Sequence, residues 1–66
     1  MKLAVRLKEA RKEKGYSQIY VSDKLHVSRQ AISNWENGRS YPDVGNLKAL
    51  SVLYEISLDE LFKETS

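Results

Sequence analysis

Apolar residues recur every three or four positions along the chain, with charged and polar residues between them. Four segments show this spacing: Leu3, Leu7 and Ala10; Val21 and Leu25; Ile32 and Trp35; and Val44, Leu47, Leu50 and Tyr54. Because this period places apolar side chains on one face of a helix, each segment is predicted to form an amphipathic α-helix with that face inward.

Capping and stop residues mark the two ends of these helices. Ser17, Ser28 and Asp43 stand where N-caps are needed, since their side-chain oxygens accept from free amides of the first turn. Gly15 is expected to end the first helix, and the pair Asn37-Gly38 the third. The second and third helices are therefore predicted to span Gln18–Leu25 and Arg29–Glu36.

A short fifth helix is predicted at the end of the chain. Ser57 and Glu60 have capping-box spacing, and the helix that they open carries Leu61 and Phe62. No alternating run lies beside a hairpin turn, so no strand is predicted. The expected fold is all-α, one compact five-helix domain over residues 1–66. Its predicted core comprises Leu7, Val21, Leu25, Ile32, Trp35, Leu47, Leu50 and Leu61, supported by Leu53 and Ile56.

The composition of the chain excludes several classes of protein. The chain has 66 residues and no cysteine, which excludes disulfides and thiolate metal sites. Its apolar stretches are too short for a signal peptide or a membrane span, so a cytoplasmic protein is expected. Residues 1–39 carry nine basic and four acidic side chains, whereas residues 40–66 carry two basic and five acidic ones. This asymmetry suggests one face for an anion and another turned away from it.

The second and third helices, joined by about three residues, form a helix-turn-helix pattern. On the third helix, Arg29, Gln30, Ser33 and Asn34 face away from the buried side. Arg can bind guanine in the major groove through two hydrogen bonds, and Gln or Asn can bind adenine in the same way. Arg29 has a phosphate contact as its alternative role. The simpler interpretation, a solvated polar face, would hold for any one of these residues alone.

Residues around this face are suited to phosphate contacts. Helix starts present free amides and a positive dipole end, and side chains or backbone amides after the third helix add donors. The candidate phosphate-binding residues are Ser17, Gln18, Ser28, Asn37 and Arg39, with Ser33 a weaker candidate for either role. The clamp after the third helix is expected to combine a backbone amide with the Arg39 guanidinium.

The runs Gly15-Tyr16-Ser17-Gln18, Leu25 to Asp43 and Ile56 to Phe62 resemble the Cro/C1-type (Xre-like) helix-turn-helix family of bacterial and phage repressors. The resemblance covers nearly the whole chain in fixed register. It implies a lambda repressor-like fold and a dimer on a roughly palindromic operator, with the third helix in the major groove.

The resemblance also implies roles for individual residues. The base-reading positions of the family fall on Arg29, Gln30 and Asn34, and its phosphate-contacting positions on Gln18, Ser28, Asn37 and Arg39. Gln18 in such proteins braces the first reading residue of the third helix. Arg11 and Glu36 occupy positions that the family commonly pairs. Glu36 ends a helix, where the dipole disfavours an anion, so an arginine partner is expected.

A few positions depart from the family pattern. Ile19 and Tyr20 replace acidic residues, and they form either a partner surface or, as we favour, local packing on Tyr16. Ser22 replaces an alanine that packs against the third helix. His26 replaces a glycine, and a positive φ is predicted for it.

The alternatives to a DNA-binding repressor are an enzyme and a protein-binding module. An enzyme is disfavoured because no phosphate-binding glycine loop, metal cluster or acid–base pair is present, and no cofactor or metal is expected. The rival is an antitoxin or adaptor module that binds mainly protein. We favour a DNA-binding repressor, nucleoid-associated when bound. Its regulation is expected from dimerisation, from a separate regulatory protein or from its own concentration. The expected dimer surface is the region Glu55, Ile56, Ser57, Leu58 and Asp59 together with the fifth helix.

Overall fold

A computed structural model describes residues 2–63, which form five α-helices and no strand. The helices are α1 (Lys2–Lys14), α2 (Gln18–Leu25), α3 (Arg29–Glu36), α4 (Val44–Tyr54) and α5 (Leu58–Phe62). The predicted all-α class is confirmed, and α2 and α3 have the predicted bounds. Even α1, the longest helix with 13 residues, is too short and too polar to cross a membrane, and the same holds for every other helix within residues 2–63.

Four helices begin at the predicted N-caps. In each case the side-chain oxygen of the cap accepts a hydrogen bond from the backbone N–H three residues later. The distances are 3.0 Å for Ser17 with Tyr20, 3.1 Å for Ser28 with Ala31, 2.8 Å for Asp43 with Asn46 and 3.1 Å for Ser57 with Glu60. Each bond satisfies one amide that the helix itself leaves free, which fixes where the helix starts.

The capping box predicted at α5 forms only in part. The Glu60 amide donates to Ser57 Oγ, but the Ser57 amide does not donate back to the Glu60 carboxylate. Instead, that carboxylate lies 3.4 Å from Arg6 on α1 and 3.8 Å from Lys63. Because α5 packs against α1, the Arg6 guanidinium is within reach of the Glu60 carboxylate. A charged donor binds a carboxylate more strongly than the neutral backbone amide of Ser57 does.

The four longer helices end in the same way, with one residue in the left-handed region. These residues are Gly15, His26, Gly38 and Glu55, with φ of 75°, 58°, 75° and 56°. In each case the next amide donates to a carbonyl five residues back, as Arg39 does to Asn34 at 2.9 Å, which is the Schellman pattern. The positive φ predicted for His26 is confirmed. Glycine adopts this conformation without strain, whereas His26 and Glu55 do not.

The core lies between all five helices. Its fully or nearly buried apolar residues are Leu3, Leu7, Ala10, Val21, Ile32, Trp35, Leu50, Tyr54 and Leu61. Leu25 and Leu47, predicted as core, are half-buried against this cluster, as are the supporting residues Leu53 and Ile56. The inward orientation predicted for Val44 is wrong, because its side chain is 74% exposed. At ~100° per residue, Val44 lies ~120° around α4 from Leu50, which is too far to reach the same core.

A buried ion pair joins α1 to the end of α3. The Arg11 Nε donates to Glu36 Oε2 at 2.7 Å, and Arg11 Nη2 donates to Glu36 Oε1 at 3.0 Å. The two side chains are only 11% and 3% exposed. Accepting these hydrogen bonds, the Glu36 carboxylate raises the pKa of the Arg11 guanidinium despite the opposing effect of burial. The third guanidinium nitrogen, Nη1, donates to the Tyr16 carbonyl at 2.9 Å, so all three nitrogens are in use.

Breaking this pair is expected to destabilise the fold strongly. Arg11→Met and Glu36→Gln should each lower the free energy of unfolding by ~3–5 kcal/mol, because each leaves a buried charge uncompensated. The double variant should lose much less than the two losses added together. Chemical denaturation of all four proteins measures this coupling energy.

Arg6 and Glu60 provide the matched control pair, since they also join two helices but are 23% and 48% exposed. The cycle of Arg6→Met and Glu60→Gln should give less than ~1 kcal/mol of coupling. If the two cycles give equal coupling energies, the Arg11–Glu36 pair contributes no more than a surface contact.

Replacing His26 by glycine is expected to stabilise the protein by about 1 kcal/mol, because the left-handed backbone then carries no Cβ strain. Thermal or chemical denaturation measures the change. Lys12→Gly, at an exposed position inside α1, should instead cost about 0.7 kcal/mol. A loss of stability in His26→Gly would show that the imidazole contributes more than the strain costs.

Candidate nucleic-acid interface

The third helix has one buried and one outward face. Ile32, Trp35 and Glu36 are buried against the body of the protein. Arg29 and Gln30 are exposed at the start of α3, and Asn34 follows one turn later, partly exposed. The residues predicted to read bases therefore lie together on the side of α3 that no other helix covers.

The side chains of Gln30 and Asn34 are joined by a hydrogen bond. Gln30 Nε2 donates to Asn34 Oδ1 at 3.2 Å, across one helical turn. This bond orients the Gln30 amide, so that its Oε1 and its second N–H remain available as an acceptor and a donor. The Nδ2 of Asn34 keeps both of its protons. The pair thus offers an ordered set of donors and acceptors rather than two freely rotating amides.

The two serine caps keep a donor for a ligand. Ser17 Oγ and Ser28 Oγ each use a lone pair to accept from the helix backbone. Their hydroxyl protons are not consumed by these bonds, since a hydroxyl carries a donor and two acceptor sites. Both residues are exposed, at the positive ends of α2 and α3. Capping and anion contact are therefore compatible at these positions.

The segment after α3 differs from the predicted clamp. The backbone amides of Asn37, Gly38 and Arg39 already donate to carbonyls of α3, at 2.9, 3.4 and 2.9 Å. The last helical bond and the Schellman turn occupy these amides, so the backbone donor that we predicted is not free. The donors that remain there are side chains. Asn37 Nδ2 also donates to Ser33 Oγ at 3.3 Å, and the Arg39 side chain is exposed.

Gln18 also has a different partner from the one predicted. Its Nε2 donates to Glu36 Oε1 at 3.1 Å, so it contacts the end of α3 rather than the first reading residue. The cause is that Arg11 has already fixed the Glu36 carboxylate beside the start of α2, and a charged acceptor attracts the amide more strongly than a neutral side chain. Glu36 therefore ties α1, α2 and α3 together. The Tyr16 carbonyl, the third acceptor for Arg11, carries no signal in the sequence.

Of the two apolar residues that depart from the family pattern on α2, Tyr20 packs on Tyr16 as predicted, but the packing predicted for Ile19 is not observed. The rings of Tyr16 and Tyr20 have centroids 4.6 Å apart, and Tyr16 contacts the buried Tyr54 on its other side, at 6.4 Å. Burial raises the pKa of the Tyr54 phenol, and the nearby Glu36 carboxylate adds to this increase. Ser22 is buried and donates to the Ile19 carbonyl at 2.8 Å. Ile19 itself stays 60% exposed.

The predicted dimer surface lies after α4, in the C-terminal part of the sequence. Glu55, Ser57, Leu58 and Asp59 are exposed, whereas Ile56 is half-buried against the core. Glu55 also forms an ion pair with Lys14 at 3.3 Å.

Among the residues that the structure describes, no group of three or more His, Asp or Glu side chains is arranged to hold a metal ion.

Comparison with known proteins gives consistent matches. A family model described as helix-turn-helix matches residues 7–61. The HTH-type transcriptional regulator ImmR of Bacillus subtilis is 43% identical over 61 residues, which are 92% of this chain and 48% of the relative. The HTH-type transcriptional activator BcrR of Enterococcus faecalis is 38% identical over 61 residues, 92% of this chain and 30% of the relative. The chain thus spans half or less of these two relatives.

The solved structures agree with these relatives. The phage P22 c2 repressor, crystallised with a synthetic operator, superposes with a TM-score of 0.88 at 33% identity, over 96% of each chain. Its likeness extends from α1 to α5, as the sequence resemblance implied. The chain belongs to the helix-turn-helix family of the Cro/C1 type, whose members are DNA-binding transcriptional regulators rather than enzymes.

Proposed function

We propose that this protein binds double-stranded DNA in a sequence-specific manner, with α3 in the major groove. One observation carries the proposal: the exposed face of α3 presents Arg29, Gln30 and Asn34, while its other face is fixed to the body through Ile32, Trp35 and Glu36. A reading helix needs both an outward polar face and a rigid mount.

Gln30 is proposed to bind an adenine. Its free Oε1 matches the N6 amino donor of adenine, and its second Nε2 proton matches the N7 acceptor. Asn34 holds the Gln30 amide in one orientation and adds its own Nδ2 donor for a neighbouring base. Arg29, at the first position of α3, is proposed to reach guanine or, failing that, a phosphate.

The phosphates on either side of the groove are proposed to be bound by the helix starts and by the end of α3. Ser17 and Ser28 contribute hydroxyl protons beside the positive helix dipoles. The Asn37 amide and the Arg39 guanidinium contribute side-chain donors beyond α3, and Ser33 has a minor role. Gln18, committed to Glu36, is proposed to act on DNA mainly by fixing the start of α2.

We further propose that two copies bind one operator. The eight residues of α3 extend ~12 Å, which is the length of only three to four base-pair steps. That is too short for useful specificity by a single copy. The proposed dimer surface comprises Glu55–Asp59 and α5, because Leu58 and Phe62 there are apolar side chains that are 38% and 51% exposed.

Repression is the regulatory outcome that we propose, since occupying an operator blocks RNA polymerase without further machinery. The relatives include proteins named as an activator and as a repressor.

The proposal of sequence-specific DNA binding is tested by selecting bound sequences from a random pool of duplexes. The salt dependence of binding to the selected duplex is then measured. A steep fall in affinity with salt supports DNA as the ligand. No selected sequence and no salt dependence would favour the adaptor alternative, in which the module binds mainly protein.

Substitutions on α3 and after it should have different effects. Gln30→Ala is expected to cost ~1–3 kcal/mol of binding free energy and to remove the preference for adenine at one operator position. Arg39→Ala should weaken binding to all sequences alike and reduce the salt slope by about one. Binding titrations on a set of single-base operator variants measure both effects.

Lys63→Ala is the matched control for charge, because Lys63 lies beyond α5 and pairs with Glu60. It should leave the salt slope and the base preferences unchanged. Unchanged preferences in Gln30→Ala would contradict the assignment of α3 as the reading helix.

The dimer should require two half-sites about one helical turn, ~34 Å, apart. Inserting half a turn between them should abolish cooperative binding. Phe62→Glu should weaken the dimer, whereas Val52→Glu, at an apolar position of α4 that is 76% exposed against 51% for Phe62, should not. Band-shift titration and sedimentation of the complexes measure this. A complex of one copy with a selected site lacking symmetry would contradict the dimer.

A further inference from the structure

An apolar groove lies between α2 and α4, apart from the proposed reading face and from α5. It has a volume of about 420 Å³ and is lined by Lys24, Leu25, Lys48, Ala49, Val52 and Leu53. Leu25, Ala49 and Leu53 are half-buried and form the floor, while Val52 is 76% exposed at the edge. No residue of α3 or α5 contributes to the lining. An exposed β-branched side chain beside a half-buried apolar floor is a feature that the core does not explain.

Exposed apolar surface extends along α4 beyond the residues that line the groove. Val44, Lys48 and Val52 are spaced four residues apart, so they form one stripe on the helix surface. Val44 and Val52 are 74% and 76% exposed. The apolar residues of α4 therefore divide between the core and a second, outward face, to which Val44 belongs.

Two cations flank this apolar floor. Lys24 and Lys48 are both exposed, and no carboxylate of residues 2–63 forms an ion pair with either of them. The Lys24 ammonium lies over the Tyr20 ring, 5.4 Å from its centroid, which holds it at the rim. The lining contains no Asp or Glu. An occupant of this groove therefore needs apolar side chains in the middle and negative charges on its flanks.

We propose that this groove is the docking site for an acidic amphipathic helix of a regulatory partner protein. Such a helix places leucine-like residues at i, i+3, i+4 and i+7 against the floor, and glutamate or aspartate beside Lys24 and Lys48. This is an interaction surface beyond the proposed DNA-binding function, and it requires no residue of the reading face.

Other occupants fit the groove less well. A second copy pairing through the same groove would bring the lysines of both copies together, and like charges repel. A second copy inserting α5 would form a head-to-tail contact, and α5 offers no apolar stretch longer than its five residues to fill the groove. A DNA backbone gains nothing from Val52 and Leu53. The charge pattern and the apolar floor are satisfied together only by an acidic amphipathic segment.

A synthetic peptide probe tests the docking site directly. The peptide carries leucines at the four spacings above and glutamates on both flanks, and amide chemical shifts of the free 66-residue protein report where it binds. The expected shifts are confined to α2 and α4 around Leu25, Ala49, Val52 and Leu53. The double substitution Lys24→Glu and Lys48→Glu should weaken binding by about fivefold to thirtyfold. A peptide with lysines in place of the glutamates should bind this variant better than the original protein.

Two controls keep the outcome decisive. Lys12→Glu with Lys8→Glu makes the same charge change on exposed positions of α1 and should leave peptide affinity within about twofold. Val52→Glu should weaken the peptide without changing operator affinity, so failure of docking and failure of DNA binding are distinguishable. Equal loss of peptide affinity in the control variant, shifts outside the groove, or displacement of the peptide by operator DNA would each overturn the proposal. So would shifts of the groove residues with protein concentration alone, which would assign the groove to a second copy.

Discussion

The position of α3 depends on one carboxylate. Glu36 stands at the C-terminal end of that helix, where the dipole and burial both oppose a negative charge. Arg11 compensates through two hydrogen bonds, and Gln18 donates a third, so the carboxylate joins three helices at one point. Arg11 also reaches the Tyr16 carbonyl, which fixes the turn between α1 and α2. The helix that is proposed to enter the groove is therefore anchored at its end by charge as well as by the packing of Ile32 and Trp35.

The outward face of α3 is organised by hydrogen bonds between side chains one helical turn apart. Gln30 to Asn34 and Asn37 to Ser33 both span one turn, so the polar face has a defined shape before any ligand arrives. Because less side-chain freedom remains to be lost, an ordered face costs less entropy on binding. The backbone after α3 offers less, since the amides of residues 37–39 already donate to carbonyls of α3 and only side-chain donors remain there.

Much of this architecture follows from local rules. Caps such as Ser17 and Asp43, and the left-handed stops at Gly15 and His26, are chemical signals that act within a few residues, so the sequence predicts them well. Features that depend on a distant partner were harder to predict. Glu60 contacts Arg6, Gln18 contacts Glu36, and Val44 points outward, and each outcome depends on which helix lies alongside. The family resemblance supplied the base-reading and phosphate-contacting roles, which are properties of a complex with DNA.

The most direct measurement is a crystal structure of the protein on the duplex that it selects from a random pool. We predict α3 in the major groove, with the Gln30 amide on an adenine edge, Arg39 against a phosphate, and Arg11 Nε still near 2.7 Å from Glu36 Oε2. A complex in which another face meets the DNA, or in which α3 enters the groove with the Arg11–Glu36 pair broken, would contradict this prediction.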